Sequence, residues 1–295
     1  MIANVAIDRK ANLLGSIWMV AAMAIFAIED AFVKAASVTL PVGQVLIFFG
    51  LGGAVAFACL ARLNNEPLFI NDVVSRPMRI RAIFEIFGRL FYVLAITLTP
   101  LSSATVILQA TPLVVVAGAA LVFGEKVGWR RWSAIFIGLV GVIIIVQPGT
   151  NSFSMLSILA IVGMIGFAGR DLASRAAPAT LSTSILGLYG FLSIVVAGAA
   201  FSVWQGKSFV APDIRISFFL IGAVVAGVAA YSCLMKAMRT GEVSAVTPFR
   251  YTRLLFGITL GVILFDEQLS TAMIVGSGLI VFSGLFILWR RKSVE

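Results

Sequence analysis

Residues 101–125 read LSSATVILQATPLVVVAGAALVFGE. From Leu101 to Val122 the run carries no charge, and it closes on Phe123-Gly124-Glu125. A helix needs about 20 apolar residues to cross the hydrocarbon core of a bilayer. This stretch is long enough to do so. It is far too long for a barrel strand and lacks a strand's alternating polarity. It sets the fold class as an all-α integral membrane protein.

Nine more segments of this kind surround it, giving candidates at roughly 13–34, 42–62, 79–98, 101–122, 129–147, 154–175, 182–204, 215–238, 244–265 and 270–290. The longest loop is about 63–78, with Asn64, Asn65, Pro67, Asn71, Asp72 and Pro77. Composition agrees: 60% of the 295 residues are hydrophobic, 12% are charged, and mean hydropathy is +1.07. A soluble domain carries about a quarter charged residues, so lipid is the expected solvent. The first segment exceeds the roughly 7–15 residues of a signal-peptide core and contains Glu29 and Asp30, so it reads as a retained helix. Cys59 and Cys233 fall in separate segments and read as small buried side chains.

The net charge of +9 invites a nucleic-acid reading, but its distribution opposes one. With both termini placed in the cytoplasm, only Lys34, Lys207 and Arg215 fall outside. Arg89, Arg250 and Arg253 lie within helices, and the remaining sixteen of the 22 basic residues fall inside. This follows the positive-inside rule and predicts a multi-pass protein of the bacterial inner (plasma) membrane. Its expected partners are the lipid bilayer and a small-molecule solute, with no nucleic acid and no obligate protein partner. Trp18, Trp129, Trp132, Trp204 and Trp289 lie near helix ends, where amphipathic rings anchor at the interface.

The chain echoes itself. Residues 243–267 read VSAVTPFRYTRLLFGITLGVILFDE. Phe265-Asp266-Glu267 follows Phe123-Gly124-Glu125 by 142 residues, and at that offset Ser244 meets Ser102 and Ala237 meets Ala95. Each acidic tripeptide precedes a short turn and a glycine-containing helix (Gly138, Gly141; Gly276, Gly278, Gly284). The halves are residues 1–150 and 151–295, each with five helices. Five is odd, so the halves enter the membrane in opposite senses, with Glu125 on the cytoplasmic side and Glu267 outside. Inverted repeats recur in secondary transporters, with the solute site near the midplane between them.

The run Thr247-Pro248-Phe249-Arg250-Tyr251-Thr252-Arg253-Leu254-Leu255-Phe256, with Gly261, Phe265, Glu267, Gly276, Leu279-Ile280, Ser283-Gly284 and Arg290, resembles the last two helices of EamA-type drug/metabolite transporters (DMT superfamily). Tyr92, Ala95, Ser102, Ala104, Pro112, Gly124-Glu125, Trp132, Gly141 and Pro148-Gly149 resemble the matching part of the first repeat. The family often has proline 13 residues before the acidic residue in both repeats. Pro112 fits, but Leu254 holds that place in the second. The resemblance implies an exporter or exchanger using alternating access, its cavity lined by the third, fourth, eighth and ninth helices. Substrates in the family include amino acids, sugar-nucleotides, S-adenosylmethionine and drugs, and amino-acid exporters of the YddG type share this length and helix count. Amino-acid export is the expected activity, with S-adenosylmethionine or another nucleotide-like or drug-like solute as the alternative.

A membrane-embedded enzyme is the reading from another class. The chain has no histidine, which removes His-based general bases, His metal ligands and a Ser-His-Asp triad. There is no Walker A sequence and no selectivity-filter-like segment. Neither a cofactor nor a metal is expected.

Charges inside the membrane cost roughly 2.5–3.5 kcal/mol on insertion scales and mark function. Glu29 and Asp30 stand in the first helix, Asp30 four residues before Lys34 and on its face. Glu85, Arg89 and Tyr92 share a face of the third, with Glu85 and Arg89 spaced to pair. Thr105, Gln109 and Pro112 line one face of the fourth, where Pro112 leaves the Leu108 carbonyl short of its donor. Pro248 does the same to Ser244, and Thr247, Arg250, Tyr251 and Arg253 follow its face. Arg250 and Arg253 lack an acid in their own helix, so they read as forks for a solute carboxylate or phosphate, or as partners of Glu85 or Asp171. Arg170 and Asp171 in the sixth helix, with Glu29, Asp30, Glu85 and Arg89, are gate or coupling candidates. The spacing of Gly163, Gly166 and Gly169 reads as a close helix crossing. Tyr92 and Tyr231 are interior tyrosines that can offer hydroxyls to a solute. Transport by a facilitator or exchanger is expected, with proton coupling as the alternative.

Overall fold

Prolines open several helices of this chain and left-handed residues close them. The structure, a computed structural model, describes residues 2–124, 129–147, 154–178, 180–240 and 247–289. Glu125, Pro148, Gly149, Ser244, Arg290 and the side chains of Thr247, Pro248, Gly284 and Trp289 lie outside the described residues. The helices are α1 (Ile2–Ser37), α2 (Val42–Leu63), α3 (Arg76–Leu98), α4 (Leu101–Leu108), α5 (Thr111–Phe123), α6 (Trp129–Val146), α7 (Ser157–Arg175), α8 (Thr183–Gln205), α9 (Ile214–Thr240), α10 (Thr252–Phe265) and α11 (Thr271–Trp289). Short 3₁₀ turns cover Asn71–Val74 and Thr247–Tyr251. No strand occurs among the described residues.

Pro41 and Pro100 stand immediately before α2 and α4. Ser182 caps α8, accepting from the Ile185 N–H at 3.2 Å. The two acidic tripeptides of the repeat are helix stops. Gly124 ends α5 at φ 66° and Asp266 ends α10 at φ 51°. Both are left-handed, a conformation glycine adopts freely and aspartate tolerates. The fourth expected helix is two pieces, α4 and α5, because Pro112 interrupts it, and the ninth opens with a 3₁₀ turn.

Among the described residues six stretches are long and apolar enough to span a membrane: Lys10–Ser37, Val42–Leu63, Leu101–Val122, Ser157–Ser174, Thr183–Gln205 and Ile214–Ala237. Ile135–Val146 and Thr271–Ser283 are shorter apolar helices. At 23 residues α3 has the length, but it carries Arg76, Arg79, Arg81, Glu85 and Arg89. Val55, Phe87, Ile221, Val225, Ile263 and Phe282 are exposed on the outside of the bundle, a surface suited to lipid and not to water. Cys59 also faces outward and Cys233 is half-buried, which corrects the reading of both as buried side chains.

The halves interlock helix by helix. α1 packs on α9, α2 on α8, α3 on α7, α4 on α10 and α6 on α11. Every pair is antiparallel: Gly43 abuts Gly198 while Phe57 abuts Gly187, and Ser102 faces Gly261 while Thr105 faces Gly257. In sequence order α2 corresponds to α8, α4–α5 to α10, and α6 to α11. Corresponding helices therefore run in opposite directions, as an inverted repeat requires. The cross-pairs α1–α9 and α3–α7 exchange under the same operation.

The α3–α7 crossing sets the spacing of the charged residues described below. A methyl on Gly166 would overlap the Cα of Gly88, and one on Gly163 would lie 2.9 Å from the Tyr92 nitrogen. Close approach of this kind needs small residues. Gly166→Leu is expected to force the helices apart, destabilising the protein by about 1–3 kcal/mol or more. Gly278→Ala, where nothing lies within 4 Å, is expected to leave thermal unfolding in detergent unchanged. Equal midpoints for the two variants would refute the crossing.

Candidate functional site: charged clusters at two helix breaks

Pro112 has no N–H to offer the Leu108 carbonyl, so the chain breaks at Gln109–Ala110. The Thr111 hydroxyl takes over and donates to that carbonyl at 2.5 Å. The second break is the 3₁₀ turn at Thr247–Tyr251. Gln109 Nε2 donates to the Arg250 carbonyl at 2.9 Å, so the two breaks meet. Irregular backbone inside a membrane is tolerated where it is buried in protein or lines a cavity. Thr105 is fully buried against Gly257, and Tyr251 is buried with its hydroxyl lacking a hydrogen-bond partner.

One charged cluster lies beside these breaks and is closed to solvent. Glu29 and Asp30 are 0% and 1% exposed. Arg253 Nη2 contacts Asp30 Oδ2 at 2.6 Å, and the Tyr92 hydroxyl donates to the same oxygen at 2.9 Å. Arg89 Nη1 contacts Glu29 Oε1 at 2.7 Å. The guanidiniums also stack on rings, Arg89 over Phe49 at 5.1 Å and Arg253 over Phe26 at 5.0 Å, an attraction strengthened by loss of water. Two acids and two arginines leave the cluster neutral.

A second cluster is partly open. Arg170 bonds Asp171 at 2.8 Å and reaches Glu85 at 3.4 Å. Arg81 lies 3.7 Å from Glu85, and its Nε donates to the Ser174 hydroxyl at 3.0 Å. Arg250 lies 3.6 Å from Asp171. Tyr231 packs edge-on against Phe57, with centroids 5.3 Å apart.

A third junction seals one end of the bundle. The Glu267 carboxylate accepts from the Leu101 and Ser102 N–H groups at 2.5 and 2.9 Å, and from the Ser102 hydroxyl at 2.6 Å. Lys34 lies 3.4 Å from it and donates to the Ile96 and Thr99 carbonyls at 2.8 and 2.7 Å.

Two expected pairs are therefore corrected. Asp30 pairs with Arg253 rather than Lys34, and Lys34 turns to Glu267 and the end of α3. Glu85 pairs with Arg81 and Arg170 rather than Arg89, which is taken by Glu29. Of the acids offered as alternative partners to Arg250 and Arg253, Asp171 lies 3.6 Å from Arg250, whereas Arg253 meets neither Glu85 nor Asp171 but Asp30. Arg81 and the Lys34–Glu267 junction were missed as site residues. A signal for each existed: Arg81 is four residues before Glu85, and Lys34 precedes Arg175 by 141 residues just as Asp30 precedes Asp171. Among the described residues no three His, Cys, Asp or Glu side chains gather into a metal-sized group.

The EamA-like transporter family matches this chain twice, over residues 13–147 and 154–289. Among its relatives is an S-adenosylmethionine uptake transporter of Rickettsia prowazekii (strain Madrid E), 23% identical and covering 96% of this chain and 95% of its own length. A riboflavin transporter of Vibrio cholerae is 25% identical, covering 95% of each chain. The pseudopaline exporter CntI of Pseudomonas aeruginosa is 27% identical over 90% of this chain and 93% of its own. A solved crystal structure superposes with a TM-score of 0.64 at 16% identity, over 97% of this chain and 99% of that one. The chain belongs to the EamA-like transporter family, and it is a membrane transporter rather than an enzyme.

Proposed function

We propose that this member of the EamA-like transporter family carries a small zwitterionic metabolite across the bacterial inner membrane by alternating access. Amino-acid export or exchange is the favoured activity. In this reading the chain crosses ten times, both termini are cytoplasmic, and residues 1–150 and 151–295 are the two inverted repeats. The Lys34 end faces outward.

The observation that carries the reading is the set of unused polar atoms beside the helix breaks. Glu29 Oε2, Asp30 Oδ1, Arg89 Nε, Arg253 Nε and the Tyr251 hydroxyl are buried without a hydrogen-bond partner. Burying such atoms unpaired is costly, and native proteins keep few of them. A zwitterion supplies both complements: its ammonium suits the carboxylates and its carboxylate suits the guanidiniums. S-adenosylmethionine carries an α-amino-acid end too, which keeps it as the alternative substrate.

Tyr92, Thr105, Gln109, Tyr251 and Arg253 form the solute floor in this reading. Thr247, Pro248 and Pro112 make the breaks, while Arg250 and Tyr231 face the approach. Glu29–Arg89 and Asp30–Arg253 gate the outer side; Glu85, Arg170 and Asp171 gate the inner side. The neutral balance of the first cluster fits facilitated exchange, since no coupling ion is needed to cancel charge there.

The test is flux into proteoliposomes of labelled amino acids, S-adenosylmethionine and a sugar-nucleotide, with and without a pH gradient. Saturable amino-acid flux that does not follow the gradient is the expected result. Flux of S-adenosylmethionine or the sugar-nucleotide without amino-acid flux would overturn the substrate class. Accumulation driven by the gradient would replace exchange with proton coupling.

A further inference from the structure

We propose that Arg81, Arg170 and Arg250 form an anion-binding subsite at the inner mouth of the pathway, taking a carboxylate or phosphate group of the solute. The proposal rests on the transporter reading and narrows its substrate class.

The first argument is charge. Among the described residues, three guanidiniums, from α3, α7 and the 3₁₀ turn before α10, meet two carboxylates, Glu85 and Asp171. The group carries one positive charge in excess, whereas the Glu29–Asp30–Arg89–Arg253 cluster carries none.

The second is geometry. A charge-assisted N–H···O bond spans about 2.7–2.9 Å. Arg170 makes one to Asp171, at 2.8 Å. Arg250 stands 3.6 Å from Asp171 and Arg81 stands 3.7 Å from Glu85. These two forks are attracted to the acids but not saturated by them. A guanidinium has five N–H donors and no acceptor, so the donors that Glu85 and Asp171 do not engage at hydrogen-bond distance suit a bidentate oxyanion. In the closed cluster the ion pairs are 2.6 and 2.7 Å.

The third is access. The side chains of Arg250, Arg170 and Asp171 are 26%, 23% and 22% exposed. Asp30 and Arg253 are 1% and 13% exposed. A solute entering from this side meets the surplus cation before it reaches the breaks. The Arg81 fork packs against Gly190, where a methyl would sit 3.3 Å from its Nη2, and its side chain is 4% exposed, so Arg250 and Arg170 are the members a solute meets first and Arg81 backs them.

The chemical consequence is selective. Solutes bearing an anionic group beyond a zwitterionic head, such as acidic amino acids, dicarboxylates or phosphorylated metabolites, gain a contact. A solute of net positive charge meets like charge, which costs affinity. S-adenosylmethionine, with its sulfonium, belongs to the disfavoured class.

The test uses the full-length protein. Thermal unfolding in detergent is followed with L-glutamate, citrate and inorganic phosphate against L-leucine and choline chloride at constant ionic strength. The same solutes then compete for flux in proteoliposomes. At least one anionic probe is expected to raise the unfolding midpoint and compete for flux, with leucine weaker and choline inert. Arg250→Gln is expected to weaken that probe about tenfold or more, while Arg250→Lys, which keeps the charge but loses the fork, keeps part of the effect and shows that folding is intact. Arg62→Gln, on the exposed end of α2, is expected to change nothing. If anionic probes stabilise no better than leucine or choline, or if Arg250→Gln and Arg62→Gln behave alike, the subsite is refuted even where flux is normal. Absence of flux for every solute, with anion binding retained, would overturn the transporter reading and leave the subsite standing.

Discussion

Arg253→Ala is expected to abolish transport and to destabilise the protein by about 3–5 kcal/mol, the magnitude seen when one member of a buried ion pair is removed. The Asp30 carboxylate is 1% exposed, and one of its oxygens already lacks a partner. Its other oxygen is held by Arg253 at 2.6 Å and by the Tyr92 hydroxyl at 2.9 Å. Without the guanidinium, one phenol would have to support a buried negative charge. Arg253 also lies 5.0 Å from the Phe26 ring centroid, so truncation loses a packed face. Asp30→Asn should be milder, because the amide still accepts from Tyr92, but it strands the Arg253 charge. The decisive comparison is the double variant Asp30→Asn/Arg253→Met. Removing both charges also removes the desolvation penalty, and such replacements are often neutral or stabilising. The double variant should therefore recover most of the unfolding midpoint lost by Arg253→Ala while transport stays absent. Strictly additive losses, taken against Asp30→Asn and Arg253→Met as the matching single variants, would mean that the two residues are not energetically coupled.

That pairing shows where sequence reading reaches its limit. The helical character, the repeat and the breaks were legible because each is written locally. Apolar runs set the helices, Pro112 marked the interruption at Gln109–Ala110, and the 142-residue echo of Phe-Gly-Glu in Phe-Asp-Glu marked the reversal of the second half. Gly163, Gly166 and Gly169 announced a close crossing because only small residues allow backbones so near, but not that α3 would be the partner. Ion pairing was not legible in the same way. The rule that residues four apart are neighbours suggested Asp30–Lys34 and Glu85–Arg89. On a water-exposed helix those would be the cheapest contacts. Inside a membrane a charge turns toward the bundle interior, away from lipid, and there other helices supply the partners. Arg89 meets Glu29 across 60 residues of sequence and Arg253 meets Asp30 across 223. Spacing cannot rank contacts that depend on which helices pack. Arg81–Glu85 survives as an i,i+4 pair because both residues already face α7 and α8.

Glu267→Ala is expected to open the Lys34 end of the bundle. One carboxylate from the second repeat holds three elements of the first. It fills the N-terminal N–H groups of α4, where the helix dipole favours an anion. It draws in Lys34 of α1, whose ammonium also occupies the last carbonyls of α3 at Ile96 and Thr99. The carboxylate thus joins the start of one helix to the end of another, and the two repeats separate at this end only if it lets go. Loss of an N-terminal cap costs about 0.5–2 kcal/mol, and an ion pair only 14% and 8% exposed adds to that. Since about 1.4 kcal/mol shifts a two-state equilibrium tenfold, the population open at the Lys34 end should rise by about tenfold or more. The readout is a cysteine at Ala104, a fully buried position in α4 beneath the junction, in a background with Cys59 and Cys233 replaced by alanine. An impermeant thiol reagent applied from the Lys34 side should label it about tenfold faster in Glu267→Ala than in the parent. Lys34→Met should act in the same direction, and the double variant should add little, because both residues belong to one junction. Unchanged labelling in Glu267→Ala, with the unfolding midpoint lowered, would reduce Glu267 to a helix cap.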